Sequence, residues 1–122
     1  MTQAPRLAPE ELLMALADRF YAEVSADEVL RALYPDEDLT DAARHLGWFL
    51  VQARGGPLTY FDRRGHPSLR ARHVPFPITG GLRDRWLRHM RTALDGSGID
   101  DGERAKLWRW FVASADALVN VP

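Results

Sequence analysis

Leu69-Arg70-Ala71-Arg72-His73-Val74-Pro75-Phe76 lies between a polar, turn-rich stretch and a long amphipathic segment. Val74 precedes a proline, and the clash between a proline ring and the residue before it drives that residue away from helical angles. A short helix over about 67–73 therefore closes at His73, with the imidazole aimed at whatever the flanking helices enclose. A neutral imidazole in such a place binds a metal through one ring nitrogen while a carbonyl holds the other. A lone histidine before a proline is also commonly structural, so its position alone leaves both readings open.

Upstream, Pro9-Glu10-Glu11 opens a helix with acids in its first turn. Leu12, Leu13, Leu16, Phe20 and Val24 recur at helical spacing, which predicts a helix over about 9–24. Ser25-Ala26-Asp27-Glu28 matches a capping box before a short helix of about 27–33, which Tyr34-Pro35 ends. Leu39, Ala42, Ala43, Leu46, Phe49, Leu50 and Ala53 form the stripe of a helix over about 39–54, with Asp38 or Thr40 as cap. Gly55-Gly56-Pro57 stops it. Downstream, Thr79 caps a helix of about 79–95 carrying Leu82, Trp86, Met90, Ala93 and Leu94 on one face. After the turn Asp95-Gly96-Ser97-Gly98, a last helix runs to about 119. It is buried through Leu107, Trp108, Phe111, Val112, Ala115, Leu118 and Val119. No segment alternates with period two, so the fold class is all-α. The stretch from 55 to 78 is too long for a bundle connection and is expected to cover or bind something.

The 122 residues suit one domain, with 1–8 as a loose leading segment. A formal charge of −1 attracts neither nucleic acid nor acidic membranes. The absence of cysteine excludes disulfides, thiolate metal sites, iron–sulfur clusters and cysteine nucleophiles. No run is long or apolar enough to span a membrane or to serve as a signal peptide, which reads as cytoplasmic. Of the 16 basic residues only Lys106 is a lysine; a biased base composition explains that better than anion recognition. Motifs of serine hydrolases, P-loops, dinucleotide folds and zinc deaminases are absent.

Three amphipathic rings, Tyr21, Tyr34 and Trp86, stand on separate segments that can converge with His73. Buried Tyr and Trp seek acceptors for their O–H and N–H groups, though three of them can equally be core filler. His45 is expected at the surface, His89 as a satisfied structural histidine, and Arg83, Arg85, Arg88 and Arg91 on a solvent face or subunit contact.

The ordered set Phe20-Tyr21, Leu33-Tyr34-Pro35, Gly55-Gly56-Pro57, Arg64-Gly65-His66-Pro67, Leu69 to Phe76, Arg83-Asp84-Arg85-Trp86-Leu87 and Leu118-Val119-Asn120 resembles the group II truncated haemoglobins over about residues 17–120. The resemblance implies a two-over-two helical sandwich around haem b. By position, His73 resembles the proximal iron ligand, and Tyr21, Tyr34 and Trp86 match the distal polar residues. Ala42 falls where larger globins keep a distal histidine. Leu46, one turn on, lines the distal pocket with Phe20 beside it. Tyr60, His66 and Arg72 fall where the family contacts the haem propionates or closes the proximal side, and Phe76 joins them as a cofactor contact. Arg63, Arg64 and Arg70 surround the expected haem edge. Two features depart from the family. The glycine-rich opening is replaced by Gln3 to Pro9, and the aromatic pair before Gly-Gly-Pro is replaced by Ala53-Arg54.

Haem held by one histidine leaves its opposite side open. Donors aimed at a polarised diatomic ligand stabilise it as an oxyanion hole does. At about 1 kcal/mol per hydrogen bond, two or three slow O2 release by roughly 10- to 1,000-fold. That favours NO-detoxifying or peroxidase-type chemistry over transport, with O2, NO, CO or peroxide as ligands. The electrons then come from a separate reductase, and the protein is a monomer or homodimer. The alternatives are a haem-based gas sensor and a haem-free interaction module.

Overall fold

A computed structural model of the protein describes residues 9–34, 38–55 and 76–121. They form α1 (Glu10–Ser25), α2 (Glu28–Arg31), α3 (Thr40–Ala53), α4 (Gly80–Asp95) and α5 (Asp101–Leu118). Each long helix lies within a residue or two of its predicted span, because each carries an apolar stripe of period 3.6. The expected helix at 67–73 and the loop at 58–68 lie outside the described residues.

The carbonyl of Pro9 accepts from the amides of Leu12 and Leu13, and Glu10 and Glu11 face the positive end of the α1 dipole. Leu13, Leu16, Ala17, Phe20 and Val24 fall one turn apart and are fully buried. α1 packs most extensively on α3 and also touches α2 and α4, while α4 pairs with α5. The α1–α3 crossing is close because position 47 is glycine. A Cβ there would lie 2.6 Å from Sδ of Met14 and 3.4 Å from its backbone Cα. The core at this junction consists of Leu13, Leu16, Phe20, Val24, Leu50, Met90, Leu94, Leu107 and Phe111.

Three local readings need correction. The cap of α2 is Asp27 rather than Ser25: its Oδ1 accepts from Val29 N–H at 3.0 Å and Leu30 N–H at 3.2 Å. Ser25 instead donates back to the carbonyl of Ala22. On α3, Ala53 is exposed rather than on the buried stripe, because the helix ends there. On α5, only Leu107 and Phe111 of the predicted stripe are fully buried, and the first turn adds a buried acid, Glu103. Thr79 does cap α4, accepting from Leu82 N–H at 3.1 Å.

Beyond α5, Asn120 clips the chain to the segment leading into α4. Its Oδ1 accepts from Ile78 N–H at 2.7 Å and its Nδ2 donates to the carbonyl of Phe76 at 2.9 Å. The backbone amides of Asn120 and Val121 both donate to the carbonyl of Ile78. The segment leading into α4, which begins at Phe76, three residues after His73, is thus fixed by the end of α5.

Candidate functional site

The aromatic side chains of α1, α4 and α5, with Tyr34 beyond α2, form one connected line. Tyr34 stands edge-on to Tyr21 at 5.4 Å, Tyr21 to Phe20 at 5.1 Å, and Phe20 meets Trp86 at 4.8 Å. Trp86 then meets Phe111 at 5.7 Å. Phe20 has no accessible surface, whereas Tyr21, Tyr34 and Trp86 are partly buried around it. The buried ring therefore serves as the common wall against which the polar rings are set. Offset and edge-on aromatic contacts are the favoured arrangements of ring quadrupoles.

The phenol oxygens of Tyr21 and Tyr34 lie 3.3 Å apart. Burial pushes the Tyr21 phenol far up, and the neighbouring Tyr34 pushes it further. Burial also raises Tyr34, against the lowering effect of its bond to Tyr21. Both phenols stay protonated at neutral pH, so one donates to the other and the second O–H is left to donate elsewhere.

A polar cluster lies beside this line. Asp27 is buried, with a side chain 4 % exposed. Nη1 of Arg85 donates to its two oxygens at 3.2 and 3.1 Å, and Nε2 of His89 lies 2.6 Å from Oδ2. Burial by itself would raise the Asp27 carboxyl. The bonds from His89, the Leu30 amide and Arg85 overcome this and hold it well below the usual carboxylate range. An ionised carboxylate only accepts, so Nε2 of His89 carries the proton. Nδ1 of the same ring lies 3.8 Å from Glu23. His89 is thus a satisfied histidine, as expected, while Arg85, its side chain 38 % exposed, is also the ion-pair partner of a buried acid. Because the folded carboxyl sits below its ordinary 3.8, its contribution to stability is present above pH ~4 and is lost as the pH falls further. Acid titration of unfolding, followed by circular dichroism, is expected to show a shallower loss below pH ~4 in Asp27→Asn than in the wild type.

Residues 7–120 match the bacterial-like globin family. The chain is 43% identical over 111 residues to the group 2 truncated hemoglobin YjbI of Bacillus subtilis, covering 91% of this chain and 83% of that one. The chain belongs to the group II truncated haemoglobins. Among solved structures, a thermostable hemoglobin from the actinobacterium Thermobifida fusca aligns with a TM-score of 0.89 at 51% identity, over 93% of this chain and 92% of that one. The truncated oxygen-avid haemoglobin from Bacillus subtilis aligns with a TM-score of 0.87 at 42% identity, over 93% and 95% of the two chains. The helical sandwich expected from the sequence is therefore the fold.

In this truncated haemoglobin, the sequence-predicted distal set Tyr21, Tyr34 and Trp86 converges around Phe20. Ala42 and Leu46, one turn apart on α3, are both partly exposed, with Leu46 resting against the core. Phe76 presents an aromatic ring 54 % exposed at the approach to α4. His73, Arg72, Tyr60 and His66 lie outside the described residues, as do Arg63, Arg64 and Arg70. His45 is partly buried, its ring 5.8 Å from Trp48. The residues present fit a porphyrin: protonated phenols and an indole supply donors without a competing charge, Ala42 is small, and Phe76 offers an apolar surface to cover.

Sequence reasoning missed Asp27 and Arg85. The available signal was the spacing of Arg85 and His89, one turn apart on α4 with Trp86 between them.

Proposed function

We propose that this truncated haemoglobin binds haem b through His73 and holds O2 or another diatomic ligand against donors from Trp86, Tyr34 and Tyr21. When bound, the haem supplies an iron with one open coordination position, where a ligand is polarised and electrons are exchanged. The observation that carries the reading is the paired phenols at 3.3 Å, linked to Trp86 through the buried ring of Phe20. Tyr21 donates to Tyr34 and so orients it, and the free O–H of Tyr34 and the indole N–H of Trp86 donate to the ligand. Donors held in place before the charge develops stabilise it without reorganising. Leu46, Ala42 and Phe20 exclude water around them.

A pocket that retains a polarised ligand suits its consumption better than its carriage. The reading extends to NO detoxification, in which NO, O2 and one electron give nitrate, and to reduction of peroxide. A separate cytoplasmic reductase supplies the electrons. The oxygen-avid character of the Bacillus subtilis relative agrees with slow release.

The visible spectrum of the haem-supplied protein tests the reading directly. A Soret band is expected in the wild type, and His73→Ala is expected to weaken and shift it, with faster haem transfer to an acceptor globin. A wild type without a Soret band, or a His73→Ala spectrum identical to it, removes the assigned ligand.

A further inference from the structure

We propose that Asp27, gripped by Arg85 and His89, is a positioning residue that sets where Trp86 and Tyr34 aim their donors. This rests on the reading of those two side chains as donors to a haem ligand.

The argument starts from α2. Four residues are too few for a helix to hold itself, so its place comes from its cap and its neighbours. Asp27 supplies both. One oxygen closes the first turn through the amides of Val29 and Leu30, and the carboxylate as a whole reaches across to α4. At the other end of the same turn, Nη1 of Arg31 donates to the carbonyl of Tyr34 at 3.0 Å. The chain from Asp27 to Tyr34 is therefore one short, internally tied unit whose tether to α4 is Asp27.

On α4, Arg85 and His89 are separated by one turn and share a face. Trp86 follows Arg85, about 100° further round the axis. Turning the helix so as to swing the indole away from its direction must stretch the contacts at 3.1 and 2.6 Å. Bonds to a buried carboxylate are among the strong ones, so the cluster opposes that rotation. Hydrogen bonds weaken steeply as their angle opens, so a small rotation costs the ligand most of a bond. A single buried acid thus fixes the two donor-bearing segments relative to each other.

The test is made on the haem-loaded protein with two readouts, the O2 dissociation rate and the C–O stretching band of the CO complex. Asp27→Ala and His89→Leu are each expected to raise the rate about tenfold, one bond's worth, and to move the band toward that of Trp86→Phe. Combined with Trp86→Phe, His89→Leu is expected to add no more than about twofold, since it acts through the donor on its own helix, while Asp27→Ala keeps a further increase through Tyr34. Unchanged rate and band in both variants, with only the melting temperature lowered, overturn the positioning role. Full additivity of His89→Leu with Trp86→Phe overturns it as well. If Trp86→Phe itself moves neither readout, the donor reading fails first and this one with it. His89→Leu leaves the α2 cap intact and decides the matter if Asp27→Ala does not fold.

Discussion

Trp86→Phe is expected to speed O2 release by roughly 10- to 100-fold, measured by stopped-flow displacement from the haem-loaded protein. The substitution is chosen to remove one atom's function and little else. Phenylalanine keeps an aromatic face toward Phe20 and Phe111, which the indole meets at 4.8 and 5.7 Å, so the wall behind the site survives. What disappears is the N–H, which can only donate. A hydrogen bond to an acceptor carrying charge contributes about 1.5–3 kcal/mol, and each 1.4 kcal/mol is about tenfold in rate if the loss falls wholly on release. CO takes on less charge, so its release should change by a much smaller factor. That contrast separates loss of a donor from a general loosening of the pocket, which would speed both ligands alike. Equal O2 rates in the wild type and variant would show that the indole does not reach the ligand.

The helices were legible because each writes its stripe locally. Leu13, Leu16, Phe20 and Val24 announce α1, and Thr79 announces the start of α4. What stayed hidden was set by partners far along the chain. Ser25 and Asp27 are both capable caps, and the box pattern favours Ser25. Arg85 and His89, more than fifty residues away, decide for Asp27 by giving its buried carboxylate partners on α4. The same pairing explains why Arg85 looked like one more surface arginine, since an amphipathic plot does not reveal an acid facing it from another element. Tyr21, Tyr34 and Trp86 were grouped only through resemblance, because Tyr and Trp at helical spacing are as readily core filler; the structure brings the three around Phe20. The structure adds that Phe20, counted with the pocket lining, has no accessible surface and supports the polar rings from behind.

The replacement of an aromatic pair by Ala53-Arg54 before Gly55 is the departure from the family with the clearest structural answer. Arg54 reaches Glu103 on α5, Nη2 to Oε1 at 2.5 Å, with the acid's side chain 1 % exposed. Gly55, at φ +89°, then turns the chain away in the left-handed region, where a glycine carries no Cβ penalty. A buried carboxylate without its cation is costly, and breaking such a pair from one side typically destabilises by about 3–5 kcal/mol. Arg54→Ala is therefore expected to lower the melting temperature by roughly 10–20 °C, at a few degrees per kcal/mol for a chain of this size. Replacing both partners removes the desolvation cost along with the attraction. Arg54→Met with Glu103→Leu should recover most of the loss and is expected to match or exceed the wild type. Calorimetry on Arg54→Met, Glu103→Leu and the double closes the cycle. A coupling below about 0.5 kcal/mol, which is what independent sites show, would mean that the pair does not hold the end of α3 to α5. A large coupling identifies Arg54 as the residue that took over the packing its family gives to aromatics.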